Sequence, residues 1–244
     1  MKSFVIGMIT LLFFGSATPA VAQKSAGKKV VAANTYTYRP RSADGIGKFY
    51  FGREIAHIMG SGNASWLERS SRPEEENTNL AIKRMNLKPT DVIADIGAGT
   101  GYYTFKIAPK VPDGKVYAVE VQEGMIAYLN NRKNELNNNN VEVVKGGSTS
   151  PNLPANSIDM VVMVDVYHEL ENPAEILQAI KKSLKKDGKV LLIEYKGEDP
   201  SVRIKPLHKT TVAQLNKELS ANGFKLAYKG DFLPIQHFLL YQMN

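Results

Sequence analysis

The chain has 244 residues, no cysteine, and a formal net charge of +7 from 31 basic and 24 acidic residues. No disulfide contributes to its stability, and its length suits one domain of ordinary size with a substantial core. The positive charge is spread along the chain without interleaved aromatics, which excludes the stacking groove of a single-strand nucleic-acid binder and reads as solvated basic surface.

The chain opens "MKSFVIGMITLLFFGSATPAVAQ", where Lys2 precedes an apolar run of 11 residues from Phe4 to Phe14 and "AVA" at 20–22 precedes Gln23. That order of charge, apolar run and small residues is that of a secretory signal peptide over 1–22, and the run is shorter than the about 20 residues a bilayer span needs. An exported protein, periplasmic or secreted, without a membrane span after cleavage is the expectation. Residues 23–48, rich in Lys, Ala, Ser and Gly without apolar periodicity, read as a flexible lead-in. Residues 49–88 read as helical, with breaks near Gly60–Gly62 and Pro73.

From residue 89 onward strands and helices alternate. Strand-like runs occur at "DVIADI" (91–96), "KVYAVEV" (115–121), "VEVVK" (141–145), "IDMVVMV" (158–164) and "KVLLIEY" (189–195). Most are continuously apolar, as strands buried on both faces of a parallel sheet are. The clearest helix starts at Asn172–Pro173, a capping residue followed by proline at the first helical position, with Ile176, Leu177, Ile180 and Leu184 on one face. Lys181, Lys182, Lys185, Lys186 and Lys189 crowd its expected end, before and just beyond Gly188, where cations favour the helix dipole. "TTVAQLNKELSANG" reads as a helix with Val212, Leu215 and Leu219 inward, and "FKLAYKG" and "IQHFLLYQ" as a closing hairpin. The alternation predicts a mainly parallel α/β sheet.

In such a sheet ligands bind beyond the carboxyl ends of the strands. Gly97, Gly99 and Gly101 follow the first strand directly, enclosing Ala98, in a G-x-G-x-G spacing. This differs from the G-x-G-x-x-G that seats a pyrophosphate on a helix N-terminus. Asp95, two residues earlier, is awkward for a pyrophosphate and suits a ligand with positive charge. Glu120 ends the second strand, where an acid accepts the hydrogens of both ribose hydroxyls.

These residues, with "KVYAVEVQEGM", "IDMVVMVDVYHEL", "LKKDGKVLLIEY" and the terminal hairpin, resemble the class I S-adenosylmethionine-dependent methyltransferases from about residue 75 to the end. The resemblance implies a Rossmann-like, seven-stranded, mostly parallel sheet with an antiparallel last strand and helices on both faces, over a methyltransferase domain at 89–244. It implies S-adenosylmethionine as cofactor, with Asp95 and Gly97–Gly101 near the methionine moiety. Glu120 is then expected on the ribose, and Val121, Gln122 and Met125 around the adenine. The family often has an acid after the third strand to meet the adenine amino group; here Gly147 or Ser148 stands there.

The fourth strand delivers "DVYHEL" to the same edge. Methyl transfer needs an aligned nucleophile first, and a hydroxyl or protonated amine acceptor must also lose a proton. His168 is the expected base, with Tyr167 facing the acceptor and Asp165 forming the pocket floor. No metal is expected; a hard cation between Asp165 and Glu194 is the lesser reading. The two resemble positions used by magnesium-dependent catechol-type O-methyltransferases, but Tyr195 stands where that group has a further oxygen ligand. The 49–88 segment is expected to cover the substrate, with Trp66 and Arg69 gripping a planar or anionic group. The acceptor expected is a small molecule or envelope component. The alternatives are a non-catalytic binding protein of the same fold, a protein isoaspartyl-type methyltransferase, and a nicotinamide oxidoreductase, which the glycine spacing and closing hairpin disfavour.

Overall fold

The lead-in ends earlier than its composition predicts. In the computed structural model, which describes Met1 and residues 36–244, the stretch to Ala56 forms a three-stranded antiparallel sheet: β1 (Tyr36–Tyr38), β2 (Gly45–Tyr50) and β3 (Arg53–Ala56). The expectation of a flexible segment to 48 and of helix from 49 is corrected there. β2 and β3 pair through Phe49 and Glu54 and bury Tyr50 and Ile55 against Ala174 of the main domain, so tertiary packing supplies the order that local composition does not signal. The proposed signal peptide and the first part of the lead-in lie outside the described residues.

Short helices follow: α1 (Ala64–Leu67), α2 (Arg72–Glu76) and α3 (Thr78–Arg84). Then the predicted alternation begins with β4 (Val92–Ile96), α4 (Thr104–Ile107), β5 (Lys115–Glu120), α5 (Glu123–Glu135), β6 (Val141–Lys145) and β7 (Ile158–Val164). It closes with α6 (Pro173–Ser183), β8 (Leu184–Tyr195), α7 (Val212–Ala221), β9 (Phe224–Gly230) and β10 (Gln236–Met243). The seven main strands run in the order β6-β5-β4-β7-β8-β10-β9, with β10 antiparallel to both its neighbours. Successive residues of one strand face opposite sides, so Ile93 joins the core with Ile82, Ile107 and Leu129 while Ala94 joins Leu177, Ile180, Leu215 and Leu219. The chain leaves β4 toward β5 and returns on its other side to β7, which opens a crevice at the carboxyl ends of these strands.

Two local expectations change. Helix α6 stops at Ser183, so only Lys181 and Lys182 lie in its last turn; Lys185, Lys186 and Lys189 belong to β8. Asn172 makes no side-chain cap, because its amide is drawn into tertiary contacts with Lys48 Nζ at 2.6 Å and the Ser148 carbonyl at 3.1 Å. The helix start is served by Tyr36 instead, whose hydroxyl accepts from Ala174 N at 3.0 Å and donates to Glu175 at 2.6 Å. No helix among the described residues is long and apolar enough to cross a membrane.

Candidate active site

The glycine loop after β4 crosses the end of β5. Gly97 N and Ala98 N both donate to the Val119 carbonyl, at 2.8 and 3.0 Å, and Gly99 N donates to Glu120 Oε2 at 2.9 Å. The other oxygen of Glu120 accepts from Val121 N at 2.7 Å and Gln122 N at 3.0 Å. Glu120 therefore holds the loop and the start of α5 together while its carboxylate lines the crevice. Gly97 has φ +71°, and a Cβ there would sit 2.6 Å from the γ-carbons of Val166. Gly97→Ala is expected to cost about 1–2 kcal/mol from the left-handed backbone alone, and more from the clash. Gly62→Ala, with open space around it, should fall within about 0.5 kcal/mol of the unaltered protein. Paired thermal melts check the contrast, and equal shifts would remove the steric argument.

Asp95 is buried, and its Oδ2 accepts from Thr104 Oγ1 at 2.6 Å. Burial, with a smaller push from Glu120, raises its pKa to about 6 against the opposing Thr104 hydrogen bonds and the Arg72 charge. Across the cavity, burial and the nearby Glu76 and Glu194 carboxylates raise the Asp165 carboxyl well above the usual range. Asp165 Oδ2 accepts from Gln236 Nε2 at 2.7 Å, and its Oδ1 has no partner; the Tyr103 hydroxyl is likewise buried without one. Both residues line a cavity of about 560 Å³ that runs from the glycine loop to the turn after β7.

The N-terminal segment forms part of that cavity's wall through Met59, Trp66, Leu67, Arg69 and Arg72. It is tied down at three places. Gln122 Oε1 accepts from Ser61 N at 2.9 Å while Gln122 Nε2 donates to the Met59 carbonyl at 3.0 Å. Glu68 takes Thr100 Oγ1 at 2.6 Å and Arg132 Nη1 at 2.7 Å. Arg53 binds Glu218 through two hydrogen bonds, at 2.8 and 2.9 Å, and donates to the His168 carbonyl at 3.0 Å.

Several residues sit differently from expectation. Tyr167 faces the core, fully buried with its hydroxyl unpaired and Arg53 over its ring at 5.6 Å, and is absent from the cavity wall. The turn Tyr167–Glu169 is a 3₁₀ turn, whose successive side chains point about 120° apart, so Tyr167 turns inward as His168 turns to the crevice. Ser148 is exposed outside the cavity lining, whereas Gly147 lies in it. Gln122 reaches the cavity, but its amide is occupied by the N-terminal segment; Val121 and Met125 line the cavity without such ties. Arg69 stacks on Trp66 at 4.0 Å and bonds Glu75 and Glu76 at 2.8 and 2.7 Å, so its charge is already balanced and the grip on an anion expected of it is not formed. Glu194 is turned away from the cavity: Oε1 accepts from Val166 N and Tyr167 N, and Oε2 meets His168 Nδ1 at 2.6 Å. The lesser reading of a cation between Asp165 and Glu194 therefore has no shared ligand face.

His168 lines the cavity with both ring nitrogens engaged, Nε2 lying 3.1 Å from His208 Nδ1. Hydrogen bonding to Glu169 holds the His208 imidazole above its ordinary pKa, against partial burial. His208 and the buried Arg72–Glu76–Tyr195 group were not found from the sequence. His208 lies 40 residues beyond His168, on a one-turn helix with no motif around it.

Sheet order, the antiparallel β10, the glycine loop and the acid ending β5 together define a Rossmann-like fold of the methyltransferase type. Residues 94–190 match a protein family described as "Methyltransferase domain". The chain is 30% identical to phosphoethanolamine N-methyltransferase 1 of Arabidopsis thaliana, over 49% of this chain and 24% of that protein. It is 26% identical to the demethylmenaquinone methyltransferase of Oceanobacillus iheyensis, over 46% of this chain and 48% of that protein. The chain thus spans about a quarter to a half of the length of such curated relatives. Among solved structures, a SAM-dependent methyltransferase from Aquifex aeolicus superposes with a TM-score of 0.72 at 26% identity, over 77% of this chain and all of that one. An O-methyltransferase from neocarzinostatin biosynthesis, crystallised with S-adenosyl-L-homocysteine, shares the fold at a TM-score of 0.61 and 17% identity, over 73% of this chain and 56% of that one. Residues 94–190 therefore match a methyltransferase domain, and the surrounding fold is that of an S-adenosylmethionine-dependent methyltransferase.

Proposed function

We propose that the protein methylates a small-molecule acceptor held in the cavity between the glycine loop and the His168–Glu169–His208 group. The observation that carries this reading is Glu120 beneath the glycine loop: its carboxylate already occupies Gly99 N, the donor a pyrophosphate would need, and presents negative charge to whatever enters. With Asp95 beside it, the crevice fits a cationic nucleoside and repels a dinucleotide phosphate. The unpartnered Asp165 Oδ1 and Tyr103 hydroxyl mark where a polar part of a ligand is received.

S-adenosylmethionine supplies an electrophilic methyl group on a sulfonium. On this chain Glu120 holds the ribose, Asp95 faces the charged end, and Val121, Met125, Ala98 and Gly147 surround the base. Without an acid near Gly147, the base rests on apolar contacts, and Ser148 takes no part. The wall formed by Met59, Trp66 and Leu67 limits the acceptor to what fits under it. The acceptor's proton leaves toward the His168–Glu169–His208 group, which replaces the single base expected at His168. A cavity of this size supports a small acceptor, in keeping with the phosphoethanolamine and demethylmenaquinone in the relatives' names.

Calorimetry with S-adenosylmethionine, S-adenosylhomocysteine and NAD tests the reading, and preference for NAD would sink it. The same titrations carry a pH signature. Asp95, with a folded-state pKa of about 6, keeps its proton at pH 5, where an unfolded chain loses it. The native state therefore binds more protons, and Asp95's contribution to stability falls as pH rises from about 4 to about 6. A cationic ligand favours the ionised form, so affinity should rise with pH through about 6 with release of a proton on binding below it. Equal binding enthalpies in buffers of different ionisation enthalpy at pH 5 would rule this out.

We further propose export, supported by the 1–22 segment. Intact-mass measurement of the exported protein should then show Gln23 as its first residue; full-length chain recovered only from the cytosol overturns this.

A further inference from the structure

We infer that His168, Glu169 and His208 form a binding site for one divalent transition-metal ion at the acceptor end of the cavity. Three donor atoms converge there: His168 Nε2 and His208 Nδ1 are 3.1 Å apart, and Glu169 Oε1 lies 3.3 Å from His208 Nδ1 and 3.8 Å from His168 Nε2. Zinc bonds of about 2.0–2.1 Å at tetrahedral angles put neighbouring donors about 3.3–3.4 Å apart, so an ion fits among them with small side-chain adjustments. Among the described residues no other group of His, Asp and Glu gathers its donor atoms this closely.

The supporting contacts have the form that metal-ligating histidines require. The other nitrogen of each ring lies beside a carboxylate. His168 Nδ1 is hydrogen-bonded to Glu194 Oε2 at 2.6 Å, and His208 Nε2 lies at ion-pair distance, 3.0 Å, from Asp44 Oδ2, which has no hydrogen-bond partner. The first contact fixes the His168 tautomer and aims its free lone pair at the ion, and the second draws the His208 ring by charge. Glu194 is itself held by Val166 N and Tyr167 N, and Asp44 by Lys205, so both rings are oriented from behind. All three ligands also line the cavity, which leaves a coordination position facing the space where an acceptor sits.

Two imidazoles and one carboxylate select zinc, ferrous iron or a similar ion over magnesium or calcium, which prefer oxygen shells. An acceptor hydroxyl or amine binding at the open position would lose its proton more readily, the effect that lowers the pKa of zinc-bound water. The proton would go to water at the cavity mouth and not to His168, Glu169 or His208, whose donor atoms would then hold the ion. This consequence for the acceptor rests on the methyltransferase reading; the metal site itself rests on the three side chains.

The test uses chelator-treated full-length protein titrated with Co²⁺, whose visible absorption reports coordination, followed by displacement with Zn²⁺. Saturable uptake of one equivalent is expected. His208→Gln and Glu169→Gln should each weaken it strongly, and Asp44→Asn, which removes the charge beside His208 together with the ion pair to Lys205, by about 10–100-fold. These three sites are less buried than His168, and circular dichroism confirms that the variants fold. S-adenosylhomocysteine affinity should persist in all three. Absence of saturable uptake, or uptake unchanged in His208→Gln, overturns the metal site and leaves the cluster as a chain of hydrogen bonds. Metal uptake without S-adenosylhomocysteine binding in the unaltered protein would instead overturn the methyltransferase reading.

Discussion

Arg53→Ala is expected to destabilise the fold by about 3–5 kcal/mol, the cost of leaving a buried charge without its partner. The Arg53 side chain is 10% exposed and that of Glu218 is fully buried, with two parallel hydrogen bonds joining them. The pair fastens β3 to α7, and the third guanidinium contact reaches the His168 carbonyl. The change therefore removes one tie of the N-terminal sheet and loosens the turn that carries His168 and Glu169. Urea unfolding measures the loss. Replacing both partners, Arg53→Met with Glu218→Leu, should recover much of it, because a neutral pair leaves no buried charge. A single-variant loss below about 1 kcal/mol would show the pair to be no stronger than a surface ion pair.

Glu120→Ala is expected to weaken S-adenosylhomocysteine binding by about 1.5–3 kcal/mol, the usual size for hydrogen bonds to a charged group. That corresponds to a loss of about 10- to 150-fold in affinity. The variant also strips the acceptor from Gly99 N, Val121 N and Gln122 N, so a lower melting point accompanies the lost affinity. Glu120→Gln separates the two effects: it keeps an oxygen for Val121 N and Gln122 N but loses the charge. If calorimetry finds ligand affinity unchanged in both variants, Glu120 is only a loop anchor and the ribose assignment fails.

The parts of the site legible in the sequence are those carried by a strand end. Asp95, Gly97, Gly99 and Glu120 lie at the ends of apolar runs that can be read directly, and β4 and β5 place them at one crevice. Gly101, expected beside the cofactor, instead lies outside the cavity wall and faces Phe105 and Leu129 of the core. His168 was legible as chemistry but not as geometry. Which way it and Tyr167 point depends on the 3₁₀ turn and on Glu194, a residue from β8 that no local pattern connects to them. His208 and Asp44 were not legible at all, since they reach His168 only through the packing of chain segments far apart in sequence.

The same division runs through the whole protein. Apolar runs bounded by glycine and polar turns determined β4 to β8, α6, α7 and the closing hairpin, because burial on both sheet faces demands continuous apolar sequence. Only tertiary structure decided that residues 36–56 form strands, since Tyr50 and Ile55 gain their burial from Ala174 in the main domain. Tertiary structure also spent Arg69 on Glu75 and Glu76, and set Asn172 to bridging Lys48 and Ser148 instead of capping α6. In each case a polar or aromatic side chain with several satisfactory local partners was claimed by a distant one. Desolvation decides among such partners: a buried charge or hydrogen-bonding group must be paired where it is buried, and burial is a property of the folded chain.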